Sequence, residues 1–185
     1  AQAVPIFVAD SFDELALNNL CARTSLVITT VGPYALYGET LLKVCAQSGT
    51  DYCDLTGEPQ WIKRMIELYE DDAKTSGARI INCCGFDSVP SDIGVKFLQQ
   101  EAFKKFGTMC DKVRLRVKAI RGGPSGGTVA SGINTIVQAG KDSTLRRELK
   151  DLYSLCPTGH RNKVRQDEIR VMYDNEFKSW VAPFV

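Results

Sequence analysis

The stretch Leu26-Val27-Ile28-Thr29-Thr30-Val31-Gly32-Pro33 decides the class of fold. It is apolar and β-branched without alternation, so it reads as a strand buried on both faces, the mark of a parallel sheet. Gly32-Pro33 ends it, and a helical pattern through residues 40–46 runs to a stop near Gly49. The same sequence of signals then repeats. Asp51-Tyr52-Cys53-Asp54-Leu55 reads as a strand ending at Thr56-Gly57-Glu58, and Trp61, Ile62, Met65, Ile66 and Tyr69 recur at helical spacing up to Gly77. Ala78-Arg79-Ile80-Ile81-Asn82-Cys83-Cys84 is the next strand, followed by a loop and a helix through Ile93, Val95, Phe97 and Leu98. Upstream, residues 4–8 read as a short strand or strand end, and Asp10-Ser11-Phe12-Asp13-Glu14 opens a helix with a cap and an acidic first turn.

Strands alternating with helices of this length predict βαβ units, right-handed crossovers and a parallel sheet with helices on both faces. The pattern changes after Gly107. Val113-Arg114-Leu115-Arg116-Val117-Lys118-Ala119 alternates strictly and predicts a half-exposed strand of an antiparallel sheet. A glycine-rich loop and a helix come next, then a basic helix near residues 145–155 and a second strand at 169–173. The expectation is an α/β chain of two parts. Residues 1–106 belong to a doubly wound parallel sheet, and residues 107–185 to part of an α+β second domain with antiparallel strands.

Composition narrows the function. No apolar run approaches the roughly 20 residues that span a bilayer, and no signal peptide is visible at the N-terminus. Seven cysteines without a C-x-x-C pair, beside the single His160, give no zinc pattern and predict reduced, buried thiols in a reducing compartment. Cys83 and Cys84, on a strand, are expected on opposite faces. The net charge of +1 hides an asymmetry: residues 1–110 carry 9 Lys and Arg against 14 Asp and Glu, and residues 111–185 carry 14 against 8. The second part therefore suits an anionic partner, or simply presents solvated faces. Near-zero charge and the absence of interleaved aromatic residues exclude a nucleic-acid surface.

Ligands of an open parallel sheet bind beyond the carboxyl ends of its strands. Here three such ends in succession carry glycine with polar groups: Gly32-Pro33-Tyr34, Thr56-Gly57-Glu58, and Gly85-Phe86-Asp87-Ser88-Val89-Pro90-Ser91-Asp92. They read either as a ligand crevice or as ordinary turns with Ser91 and Asp92 as helix caps. The later Arg121-Gly122-Gly123-Pro124-Ser125-Gly126-Gly127-Thr128 precedes a helix and reads as an anion site or a hinge. Thr128 stands where a P-loop has its lysine, which excludes nucleotide hydrolysis.

Val31-Gly32-Pro33-Tyr34-Ala35-Leu36-Tyr37-Gly38-Glu39, Asp54-Leu55-Thr56-Gly57-Glu58-Pro59 and Cys84-Gly85-Phe86-Asp87-Ser88-Val89-Pro90-Ser91-Asp92-Ile93-Gly94 together resemble the saccharopine dehydrogenase-like oxidoreductases, a family that includes the trans-acting enoyl reductases of mycobacterial glycolipid synthesis. The resemblance is dense through residues 26–95, extends over most of 1–140 and is weak beyond about 145. It implies that the sheet is Rossmann-type and partial, in a domain for NADP or NAD, with a second domain that covers the active site and mediates dimers. It further implies that the first strand and its glycine-rich turn precede Ala1, because G-x-G-x-x-G occurs nowhere in the chain. The piece alone is then expected to bind neither dinucleotide well, to lack activity, and to leave an aggregation-prone strand edge.

Carried over to this chain, Gly32, Pro33 and Tyr34 line the nicotinamide-ribose side of the crevice. Thr56, Gly57 and Glu58 stand at the neighbouring strand end, and Asp87 and Ser88 at the next. Tyr34, Tyr37, Asp87 and Glu58 are the candidate proton donors, Asp87 and Tyr34 foremost as catalytic residues. The mycobacterial relatives and the basic second part point to a small-molecule or lipid-like substrate, a lipid or glycolipid intermediate. The alternative is a non-catalytic binding or scaffold protein that keeps the fold. In either case the expected location is the cytoplasmic side, with peripheral association to a membrane or lipid droplet.

Overall fold

The computed structural model describes residues 4–151, 153–157, 159 and 171–182. The chain forms two compact units, one of residues 1–94 with 123–155 and one of residues 95–122 with 156–185. In the first, β1 (Leu26–Ile28), β2 (Asp51–Cys53) and β3 (Ile80–Ile81) make a parallel sheet in the order β1-β2-β3. Around it run α1 (Glu14–Cys21), α2 (Tyr34–Tyr37), α3 (Glu39–Ser48) and α4 (Pro59–Ser76). After α5 (Val89–Phe106) come α6 (Gly126–Lys141) and α7 (Ser143–Glu148). The α/β class expected from the alternating pattern is present. Among the described residues no helix is long and apolar enough to cross a membrane.

Strand order decides which face of the sheet is covered. Successive right-handed crossovers that step the same way put their helices on one side, and a helix reaches the other side only where the order reverses. In β1-β2-β3 it does not reverse. Accordingly α3 packs against both α1 and α4, and Leu17, Leu42, Val44, Trp61, Ile62 and Met65 close over Val27, Tyr52 and Ile80. The alternate residues of the strands are open: Leu26 is 42%, Ile28 69% and Ile81 52% exposed. The expectation of helices on both faces, and of a first strand buried on both, is therefore not met among the described residues.

The helices begin and end where the residues dictate. Asp13 caps α1 by accepting the Ala16 N–H at 3.0 Å, and Pro59 stands in the first turn of α4, where its missing N–H costs nothing. Gly49 and Gly77 close α3 and α4 at φ 76° and 82°, a left-handed conformation that glycine alone adopts without strain. β3 is shorter than its sequence suggests. The ladder stops at Ile81 because Cys83 turns to φ 57°, so Cys83 and Cys84 do not continue the strand as expected.

In the second unit, β4 (Met172–Asp174) and β5 (Ser179–Val181) form an antiparallel hairpin with Tyr173 edge-on to Trp180. Part of the expected strand 169–173 lies outside the described residues, as does His160. Among the described residues, 113–119, expected as a strand, form no ladder, and neither do residues 4–8. Two cations of 113–119 are ion-paired. Arg116 donates to Asp174 at 2.9 Å, and Arg114 lies 3.6 Å from Glu176. The Arg116 guanidinium, helped by the N–H groups of Phe177 and Glu176, holds the Asp174 carboxyl below its usual range. Two of the cations behind the basic asymmetry are thus matched within the unit.

One-sided coverage of the sheet has a measurable consequence. Leu42→Ala, which empties a position 1% exposed, is expected to lower unfolding stability by about 2–5 kcal/mol. Ile28→Ser on the open face is expected to change it by no more than about 0.5 kcal/mol. Urea unfolding followed by far-ultraviolet circular dichroism compares the two, and equal losses would mean that both faces are covered.

Candidate functional site

Three turns meet where the parallel strands end, and two buried carboxylates hold them. In Asp54-Leu55-Thr56-Gly57-Glu58 the burial alternates: Asp54, Thr56 and Glu58 are buried, and Leu55 and Gly57 are exposed. The inward residues cap one another down the chain. Asp54 Oδ1 accepts the Thr56 N–H at 3.1 Å, and Thr56 Oγ1 accepts the Glu58 N–H at 3.1 Å. Side chains that bond the backbone two residues on are the usual way Asp and Thr set a tight turn.

Asp54, 0% exposed, ties this turn to the next strand. Its Oδ1 also takes the Cys83 N–H at 3.0 Å, and its Oδ2 takes the Asn82 amide at 2.7 Å and the Tyr52 hydroxyl at 3.0 Å. Its own carbonyl accepts the Cys84 N–H at 2.6 Å. This network keeps Cys83 in its left-handed conformation. Burial, more than the neighbouring Asp54, pushes the Tyr52 phenol well above its ordinary range.

Glu58, 2% exposed, ties the turn to β1 and to α6. Its Oε1 accepts the Tyr34 N–H at 2.8 Å and the Ser131 hydroxyl at 2.8 Å, and its Oε2 accepts the Ala35 N–H at 3.0 Å. The carboxylate thus supplies the cap for α2 that Pro33, its N-cap residue, has no side-chain group to make. Tyr34 reinforces the join. Its hydroxyl donates to the Thr29 carbonyl at 3.1 Å and accepts the Leu55 N–H at 3.4 Å, and its ring packs on Trp61 at 5.5 Å between centroids. Burial raises the Tyr34 pKa, with Asp54 and Glu58 adding to the rise against the Leu55 hydrogen bond.

The third turn is tight. A Cβ on Gly85 would stand 2.8 Å from Asp87 Oδ1 and 3.2 Å from the Leu55 Cβ, so the Asp87 side chain folds back over Gly85 and would have to move aside for a larger residue. Asp87 itself is exposed and Ser88 half-buried. Burial pushes the Cys83 thiol up, and a hydrogen bond from Ser88 opposes that rise.

Helix α6 completes this end of the unit in an unusual way. Ser125 caps it by accepting the Thr128 N–H at 3.2 Å. Its half-buried residues include polar Ser131, Asn134, Thr135 and Gln138, while apolar Val129, Ile133, Ile136 and Val137 are exposed. Ser131 meets Glu58, Thr135 receives the Gln60 amide at 3.3 Å, and the Lys63–Glu148 ion pair at 2.8 Å joins α4 to α7.

Of the residues expected at the site, Gly32, Pro33, Tyr34, Thr56, Gly57 and Glu58 are brought together, with Asp87 and Ser88 at the adjoining turn. Tyr37 stands apart, at the far end of α2 and edge-on to Phe12 at 5.9 Å. Sequence reasoning did not single out Ser131 or the anchoring role of Asp54. The alternation of polar side chains in Asp54-Leu55-Thr56-Gly57-Glu58 was a signal for Asp54; for Ser131, 73 residues from its partner, there was none.

The chain is 44% identical over 157 residues to a Mycobacterium tuberculosis protein provisionally named a trans-acting enoyl reductase, a match covering 85% of this chain and 38% of that protein. Similarity to the trans-acting enoyl reductase of Mycobacterium bovis is 41% over 152 residues, covering 82% and 36%. For that of Mycobacterium leprae it is 39% over 156 residues, covering 84% and 37%. The chain therefore spans less than two fifths of the length of these relatives. No family profile and no solved structure matches it.

The buried phenols give the site a pH signature. Burial, ahead of Asp54 for Tyr52 and of Glu39 for Tyr69, raises the pKa values of Tyr52 and Tyr69 as it does that of Tyr34. A raised phenol stabilises the fold fully below the unfolded value of about 10, and the contribution is lost as pH climbs through the folded value. In an alkaline titration of tyrosinate absorbance, Tyr34 and Tyr52, the two buried among the chain's six tyrosines, are expected to ionise only as helical dichroism is lost. Ionisation of all six with the dichroism intact would contradict the buried arrangement.

Proposed function

We propose that this chain forms the nicotinamide-side crevice of an NADP- or NAD-dependent oxidoreductase of the saccharopine dehydrogenase-like kind. In this reading it reduces a carbon–carbon double bond conjugated to a carbonyl, in a lipid-like or glycolipid intermediate. The observation that carries the reading is the convergence of three strand-end turns around Glu58 and Asp54 at the carboxyl edge of a parallel sheet, where ligands of such sheets bind. The mycobacterial relatives, named for enoyl reduction, supply the reaction class.

The residues at this edge suit the nicotinamide end of a dinucleotide. Gly57 is exposed, with no atom within 4 Å of where its Cβ would stand, so a flat neutral ring can approach the backbone there. Gly32 offers its bare Cα beside the Tyr34 ring and Ser131. The pyrophosphate does not find a glycine-rich strand-to-helix fingerprint in these residues, and the proposal assigns it to a turn outside them. When bound, the nicotinamide supplies the hydride for the β-carbon of the enoyl group. The chain's own groups do the rest. Gly32 and Gly57 wall the ring, while buried Pro33, Tyr34, Thr56 and Glu58 fix the turns. Ser88 closes the third turn by donating its N–H to the Gly85 carbonyl at 3.3 Å, and exposed Asp87 is the residue proposed to hold the proton for the α-carbon.

The test is titration of the full natural-length protein with NADPH and NADH, followed by cofactor fluorescence, then turnover of an enoyl thioester. Saturable binding with turnover is expected. Asp87→Ala is expected to keep the binding and lower turnover by about 10²–10⁴-fold. Unchanged turnover would remove Asp87 as the acid, and a folded protein that binds neither dinucleotide would favour the non-catalytic scaffold.

A further inference from the structure

We propose that Ser131 is the residue that recognises the carboxamide of the nicotinamide ring, acting only as a hydrogen-bond acceptor, and that Glu58 is the positioning residue that makes it one. The inference rests on the crevice reading above and extends it to a helix that the sequence pattern had assigned to another domain.

A serine hydroxyl has one proton and two acceptor lone pairs. Ser131 lies 2.8 Å from Glu58 Oε1, an oxygen that also accepts the Tyr34 N–H, while Oε2 accepts the Ala35 N–H. The carboxylate is thus an acceptor on both oxygens, and the Ser131 proton is committed to it. What Ser131 presents elsewhere is lone pairs alone. The place it presents them is beside Gly32: a Cβ on that residue would be 3.7 Å from Ser131 Oγ and 3.4 Å from the Tyr34 ring. Both are ordinary contact distances, so Ser131 Oγ and the Tyr34 ring border the Cα of half-buried Gly32, and a ligand lying against that turn comes within reach of Ser131. An acceptor fixed in this way favours a ligand carrying an N–H donor, which a primary carboxamide has and a ketone lacks. The rival explanation is that Ser131 merely clips α6 to Glu58.

Two ligands distinguish these roles: NADP⁺ or NAD⁺, and the matching 3-acetylpyridine dinucleotide, which keeps the carbonyl and lacks the amide N–H₂. Dissociation constants are measured by calorimetry on the full natural-length protein, the wild type beside Ser131→Ala and Glu58→Gln, with far-ultraviolet dichroism as the check on folding. The wild type is expected to bind the carboxamide form about tenfold more tightly, the size of one well-placed hydrogen bond. In Ser131→Ala the ratio is expected to fall to near one through loss of carboxamide affinity alone. Glu58→Gln, whose amide can donate to Ser131 and release its proton, is expected to lower the ratio too. A clip would change stability, or both affinities together, and leave the ratio unmoved. A wild-type ratio near one, or a ratio that survives Ser131→Ala, overturns the assignment while the oxidoreductase reading stands. A folded wild type that binds neither ligand overturns both.

Discussion

A carboxylate taken out of water costs several kcal/mol unless donors surround it, and β2 ends by burying two of them. Asp54 collects donors from Tyr52, Thr56, Asn82 and Cys83, and Glu58 from Tyr34, Ala35 and Ser131. These donors are N–H groups and hydroxyls rather than ammonium or guanidinium groups. That difference has a structural effect. A flexible lysine can reach a carboxylate from many backbone positions, but a main-chain N–H can do so only if its own turn is placed correctly. The requirement to satisfy two charges therefore fixes the positions of the β1, β2 and β3 ends relative to one another. One atom set, five residues of chain, becomes the reference for the whole edge.

The remainder of the unit divides into a side built by apolar packing and a side built by polar joints. Below the edge, helices stacked on one face of the sheet surround Tyr52 and Leu42, and the energy there comes from excluded water. Helix α6 has no buried residue, and its contacts run through Ser131, Thr135 and, by way of α7, Glu148. The neutral and exposed joints are each worth about 1 kcal/mol or less and the Ser131 bond to a carboxylate about 1.5–3 kcal/mol, against several for a buried aromatic. A segment held this way is positioned accurately by direction-dependent bonds without being anchored strongly. That suits the role proposed for Ser131, a hydroxyl placed beside a ligand.

Much of this was legible before the structure. The helix ends at Gly49 and Gly77, the parallel strands at Leu26 and Asp51, and the three turns all follow from local chemistry, because a glycine cap or a β-branched run acts on its nearest neighbours. What failed depended on distant partners. Apolar strand residues do not say whether a second layer covers them; that is set by strand order, and Leu26, Ile28 and Ile81 lie on the side the crossovers leave open. Residues 113–119 alternate as a strand would, yet their cations answer to Asp174 and Glu176 some 60 positions away. Ser131 belongs to the same class, a serine in an unremarkable helix given its meaning by Glu58.

The acidic residues of the edge also sort by what surrounds them. Glu58 and Asp54 have every side-chain oxygen engaged by donors that hold the turns in place. They are suited to holding geometry. Tyr34, its proton given to the Thr29 carbonyl and its pKa raised by burial, is bound into the same framework and keeps its proton. Asp87 differs. It is exposed and lies over Gly85, and among the described residues no hydrogen bond that joins the turns of the edge runs through its carboxylate. The proposed reaction needs both kinds of group: some that stay fixed while charge moves, and one that can change. In this chain the division follows burial: the inward positions of the Asp54–Glu58 turn make the frame, and the outward Asp87 is the group to which the proposed reaction assigns the proton.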